Sequence, residues 1–142
     1  MYFDTCYIVK FYIGDDAESD AVRARVLSAN AVRSSSLAFT EFHGALHRRM
    51  REHSMPPDVA HTLSGEFREH VESGLWKLLS VNDALLRRTA AAILSIPSGL
   101  FLRSADAVHL VTAREAGEHE IWTSDRHILA AAPHFGLTGR SV

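Results

Sequence analysis

The chain has 142 residues, 46% of them hydrophobic and 23% charged, with a formal net charge of −2. That length fits one domain over residues 1–142, with roughly two-thirds of the unfolded surface buried on folding, and the balance excludes a disordered chain, a membrane span and a generic basic nucleic-acid coat protein. An acid at position 4 breaks any signal-peptide pattern and the single cysteine, Cys6, excludes an internal disulfide, so cytoplasmic residence is the default expectation.

Tyr2-Phe3 reads as a very short apolar strand that ends at Asp4, followed by a short helix over residues 5–12 carrying Ile8, Val9 and Phe11. After the punctuation of Gly14-Asp15-Asp16, residues 17–30 predict an amphipathic surface helix with apolar positions at Ala21, Val22, Val26 and Leu27. Residues 31–35 form a weak second strand. A helix over 37–53 follows, with Ala38, Phe42, Ala45 and Leu46 at helical spacing and Glu41 on the same face. Pro56-Pro57 breaks the chain, and a helix opening at Pro57 or Asp58 runs to about Glu72 with Val59, Leu63, Phe67 and Val71 at steps of four.

Residues 75–81 read as a third strand, Asn82 or Asp83 as the cap of a helix reaching about Ile96, and Pro97-Ser98-Gly99 as a turn. The next helix, over about 105–116, has Ser104 as its expected N-cap and Gly117 as its stop, and it is apolar almost all round apart from Asp106 in its first turn. Taken alone, that acid is explained as well by the helix dipole as by a cationic partner. Ile121-Trp122-Thr123 is a strand delivering Asp125 to a short helix over 126–132 that Pro133 stops. The terminus beyond Phe135 holds at most an edge strand.

Strands alternating with helices imply a parallel sheet covered on both faces, with ligand sites at the carboxyl ends of the strands. Asp4 and Asp125 fall at such ends, and Glu41 and Asp106 fall near helix N-termini that point to the same edge. If all four converge, each pair at about 4 Å repels by roughly 4 kcal/mol at an effective dielectric near 20. Either some are protonated or a divalent cation binds, and an all-oxygen set suits Mg²⁺ or Mn²⁺ better than zinc. A cation of that kind, using substrate phosphate as a further ligand, makes phosphodiester hydrolysis the natural reaction.

The motifs Phe3-Asp4-Thr5-Cys6, Ser36-Leu37-Ala38-Phe39-Thr40-Glu41, Leu102-Arg103-Ser104-Ala105-Asp106-Ala107-Val108-His109-Leu110 and Thr123-Ser124-Asp125 together resemble the PIN-domain ribonucleases, particularly VapC-type toxins of bacterial toxin-antitoxin pairs. The resemblance covers nearly the whole chain. It implies a three-layer α/β fold with a central, mainly parallel sheet of about five strands flanked by helices. It further implies that Asp4, Glu41, Asp106 and Asp125 bind Mg²⁺ or Mn²⁺ for metal-assisted hydrolysis of RNA, with Thr5 and Thr123 as supporting hydroxyls. A homodimer and a small antitoxin partner are implied as well. Cys6 departs from the hydroxyl residue that many relatives carry there, which weakens a polar role at that position.

Arg103 and Arg126 lie beside proposed acidic ligands and are expected either to contact RNA or to form salt bridges. His43 and His47 have the spacing of a metal pair, but Gly44 stands where a zinc-protease motif needs its acid. The basic segment His47-Arg48-Arg49-Met50-Arg51-Glu52-His53 is read as a solvated face in preference to an RNA or antitoxin contact. His109 is read as a satisfied helix histidine, and Trp76 and Trp122 as core residues. Two rivals share the fold class: a non-catalytic module docking a basic partner through its acidic cleft, and a phosphoacceptor receiver domain. The second needs a late lysine, and the only lysines are Lys10 and Lys77. A haloacid-dehalogenase-type phosphatase needs an acid two residues after Asp4, where Cys6 stands.

Overall fold

Phe3 and Trp122 sit side by side in neighbouring parallel strands, and the chain is wound outward in both directions from that pair. The computed structural model describes residues 1–14 and 17–142; Asp15 and Asp16, part of the break expected after the first helix, lie outside them. In chain order the elements are β1 (Tyr2–Phe3), α1 (Thr5–Ile13), α2 (Ala17–Leu27), β2 (Val32–Ser35), α3 (Leu37–Arg51), α4 (Pro57–Glu72) and β3 (Trp76–Leu79). Then follow α5 (Asp83–Ser95), α6 (Ser104–Glu115), β4 (Glu120–Trp122), α7 (Arg126–Ala131), a 3₁₀ turn (Ala132–Phe135) and β5 (Thr138–Arg140). The strands form one five-stranded sheet in the order β3-β2-β1-β4-β5, and every neighbouring pair is parallel.

Strands β2 and β3 step away from β1 on one side, and the chain then returns to lay β4 on its other side. This reversal is a topological switch point, which opens a crevice at the carboxyl ends of β1 and β4. The alternation of side chains along the strands sends Phe3, Trp76 and Trp122 into one apolar layer with α1 to α4, and Tyr2 and Ile121 into a second with α6 and α7. Both tryptophans are core residues as expected. The Trp76 indole donates to the Tyr12 hydroxyl at 2.9 Å, and Arg25 lies 4.4 Å above the Trp122 ring.

Helix α6 is buried continuously from Asp106 to Ala113, in keeping with its apolar sequence, and packs against β2, β4 and α5. Its N-cap differs from expectation. Ser104 is already helical, Arg103 occupies the cap in extended backbone, and no side chain caps the helix there, so the first turn starts one residue early. Gly117 does close the helix, at a φ of 74° that a side chain would resist.

Two other expectations shift. In α2 the buried residues are Ser19, Val22 and Val26, whereas Ala21 is exposed and Leu27 is 71% exposed, because the helix stops at Leu27 and its apolar stripe is narrower than the spacing suggests. In α4, Val59 is exposed and Ala60 takes the buried position of the first turn, while Leu63, Phe67 and Val71 face the core as expected. The α-helix α7 does end before Pro133, at Ala131, and Pro133 itself lies in the first turn of a 3₁₀ helix that continues the segment, where proline is tolerated. The edge strand at the terminus is present as β5 and pairs with β4.

Candidate active site

Asp4 follows β1 directly and caps α1, its Oδ1 accepting from the amides of Cys6 at 3.0 Å and Tyr7 at 3.4 Å. Asp125 repeats the device after β4. It caps α7, and its Oδ1 accepts from His127 N at 2.7 Å and Ile128 N at 3.4 Å. A strand-to-helix turn therefore fixes one oxygen of each acid on a helix N-terminus and leaves Oδ2 for other partners. The register pairing Phe3 with Trp122 brings the two turns together.

Thr123 joins them. Its hydroxyl donates to Asp4 Oδ2 at 2.7 Å and accepts from the Asp125 amide at 2.8 Å. Asp106 enters from the first turn of α6, where Arg103 donates from Nε to its Oδ2 at 2.9 Å and from Nη2 to Asp125 Oδ2 at 2.6 Å. Of the two roles open to Arg103 from the sequence, salt-bridge partner is the one this geometry displays. Glu41 enters from α3 and is held by Thr5 Oγ1 and by His109 Nε2, the latter at 2.9 Å. All four acids border one open cavity of about 410 Å³, together with Lys10, Arg48, Arg49 and Arg103.

Burial treats the acids unequally. It pushes the Asp4 carboxyl above the usual range, against the opposing pull of His109 and of its hydrogen bonds. Burial also opposes the Glu41 charge, but the hydrogen bond and charge of His109, with the Thr5 hydroxyl, hold that carboxyl below its ordinary value. Cys6 is pushed up to about 12 by burial and by the Asp4 charge. Its sulfur accepts from Ser124 N at 3.3 Å, so Cys6 is a packing thiol with a structural hydrogen bond.

A PIN domain family model matches residues 1–133. The chain belongs to the PIN domain family. Members of the PIN family are generally ribonucleases that depend on a divalent metal. No curated protein matches the chain in sequence. Among solved structures, VapC20 of Mycobacterium tuberculosis, a toxin that cleaves the sarcin-ricin loop, is similar at a TM-score of 0.73 and 17% identity. The match covers 92% of this chain and 93% of that one. At that identity the likeness establishes a shared PIN fold.

The donor set of this PIN chain fits a hard cation: four carboxylates border one cavity, and one of them, Asp4, is only 4% exposed, with no cationic side chain among the described residues bonded to it. Among those residues, no three acidic, histidine or cysteine side chains close into a ready-made ligand cluster. The guanidinium of Arg103 ties Asp106 to Asp125 instead.

His109, expected as a satisfied helix histidine, is satisfied, by the Tyr2 hydroxyl on Nδ1 at 3.0 Å and by Glu41 and Thr5 on Nε2. Its spacing of three from Asp106 carries the signal that it shares the acid's helix face. Arg48 and Arg49, expected on a solvated face, border the cavity, whereas Arg126 is exposed outside its lining and donates to His127 Nε2 at 3.3 Å. His43 is bonded to Phe39 O and Ser64 Oγ, which leaves no free nitrogen for a metal pair with His47.

Proposed function

We propose that this chain is a Mg²⁺- or Mn²⁺-dependent endoribonuclease acting as the toxin of a VapC-type toxin-antitoxin pair. The observation that carries this reading is the gathering of Asp4, Glu41, Asp106 and Asp125 from four separate elements onto one cavity with basic residues on its border. The four carboxylates would hold the metal, which when bound supplies charge stabilisation and an acidified water for attack on a phosphodiester.

The chain's own residues set the stage. Thr123 and the α1 amides fix the orientation of Asp4, while His109 and Thr5 fix Glu41 and keep it ionised. Such fixed orientations lower the reorganisation needed during reaction. Arg48 and Arg49 offer positive charge to a polyanion approaching the cavity, which Lys10 also borders while ion-paired with Glu18, with Arg126 as a more remote contact. A homodimer and a small antitoxin covering the cavity complete the reading, with the cytoplasm as the place of action.

The test is cleavage of structured and single-stranded RNA by purified protein with Mg²⁺, with Mn²⁺ and with chelator. Metal-dependent cleavage that Asp106→Asn abolishes without unfolding the protein is the expected result, together with growth arrest on expression of the wild type only. A folded protein that binds no metal and cuts no RNA would sink the nuclease reading and favour a docking module that uses the acids for a basic partner.

A further inference from the structure

Arg103 sits where a metal ion would compete with it. Its Nη2 holds Asp125 Oδ2 at 2.6 Å, and Oδ2 is the one oxygen of that acid not engaged in capping α7. Its Nε holds Asp106 Oδ2 at 2.9 Å, and Asp106 is only 7% exposed, so this guanidinium is the cation that offsets a nearly desolvated charge. The extended backbone of Arg103 at the cap of α6 launches the side chain back over the first turn and across to α7. The side chain itself is 57% exposed. It can therefore leave the acids without losing buried packing, and ion pairs that exposed are easily exchanged.

We propose that Arg103 is a built-in counter-cation: it bridges Asp106 and Asp125 in the metal-free protein and gives up both oxygens when a divalent cation binds. This rests on the metal-dependent reading above. The bridge lowers the apparent metal affinity, because each binding event must first break it. It also shields Asp106 and Asp125 from full mutual repulsion before metal arrives. A guanidinium fork can span two carboxylates, whereas the point charge of a lysine ammonium on a shorter reach cannot hold both in this way.

The experiment is calorimetric titration of Mn²⁺ into wild type, Arg103→Gln and Arg103→Lys without RNA, with thermal melts of each protein before and after metal. The expected result is tighter metal binding in both variants, by roughly three- to tenfold for loss of partly exposed ion pairs, and a larger metal-induced rise in melting temperature. Arg103→Lys separates exchange from simple repulsion, since it keeps the charge and loses the bridge. Wild-type affinity in Arg103→Lys with tightening only in Arg103→Gln would overturn the exchange. Should either variant fail to fold, the wild type alone decides: the Arg103 Nε–H resonance is expected to shift on Mg²⁺ addition with the calorimetric midpoint, and an unmoved resonance while metal binds would overturn it. Metal binding to neither wild type nor variants would instead bring down the nuclease reading and the exchange with it.

Discussion

Thr123 donates its hydroxyl hydrogen to Asp4 Oδ2 at 2.7 Å, across 119 positions of sequence, while its own Oγ1 accepts from the Asp125 amide at 2.8 Å. One fully buried hydroxyl thus sets the distance between two strand-end acids. Thr123→Val keeps the shape and removes both bonds, leaving a buried carboxylate oxygen and a backbone amide short of a partner. A loss of about 1–3 kcal/mol in denaturant unfolding is expected, with Thr123→Ser losing much less. Equal stability of the two variants would show that the hydroxyl is not structural.

His109 bridges the sheet to α3 through Tyr2 and Glu41. A carboxylate can only accept, so Nε2 carries the hydrogen of the bond to Glu41, while Nδ1 lies 3.0 Å from the Tyr2 hydroxyl. His109→Leu strands both partners in the interior and is expected to destabilise the fold by about 1–3 kcal/mol per unpartnered group. It should also raise the Glu41 carboxyl toward or above its ordinary range, read by carbon-detected NMR titration. A Glu41 titration unmoved by the substitution would separate the two residues.

Arg88 and Glu115 form a two-pronged pair between α5 and α6, at 2.5 and 2.7 Å. The Arg88 hydrogen bonds and charge hold the Glu115 carboxyl below its ordinary value of 4.5. Between the lowered and the ordinary value the native state binds fewer protons than the unfolded one, so the pair's stabilisation is present above pH 4.5 and lost as pH falls through the folded value. Arg88→Ala should melt slightly below wild type at pH 7, and the gap should close in acid and in high salt. A gap of constant size at acid pH would assign it to packing.

Two glycines should respond oppositely to alanine. At Gly65, inside α4, an added methyl group would meet nothing within 4 Å, so Gly65→Ala is expected to stabilise by about 0.5–1 kcal/mol through backbone entropy. At Gly139 in β5 the added carbon would lie 2.9 Å from Leu129 Cδ2 and 3.1 Å from Leu129 Cα. Backbone as well as side chain must move, and Gly139→Ala should cost about 1–3 kcal/mol. Melting temperatures that shift in the same direction for both would contradict this geometry.

Local chemistry makes the elements legible. Apolar periods mark α3 and the buried α6, Asn82 marks the start of α5 by a cap bond to Leu85 N, and a parallel sheet follows from alternation alone. The limits of α2 and the first turn of α4 depart from the periodic pattern, because Leu27 and Val59 are apolar yet stay exposed in the folded chain. The cap of α6 departs from it as well, because serine at a boundary is only a preference, and here Arg103 takes the cap in extended backbone while Ser104 is already helical.

Asp4, Glu41, Asp106 and Asp125 are identifiable as acids at strand ends and helix starts, since those positions depend on local pattern. Their partners are not. Arg103 reaching Asp125, His109 reaching Glu41 and Thr123 reaching Asp4 span 22, 68 and 119 positions, and the packing of α6 on the sheet together with the return of the chain to lay β4 beside β1 brings them within bonding distance. The sequence by itself determined that these acids stand at strand ends and near helix starts, because those positions follow from local pattern. The tertiary structure alone decided how each is oriented and charged, because hydrogen bonds, burial and a shared guanidinium are properties of neighbours in space.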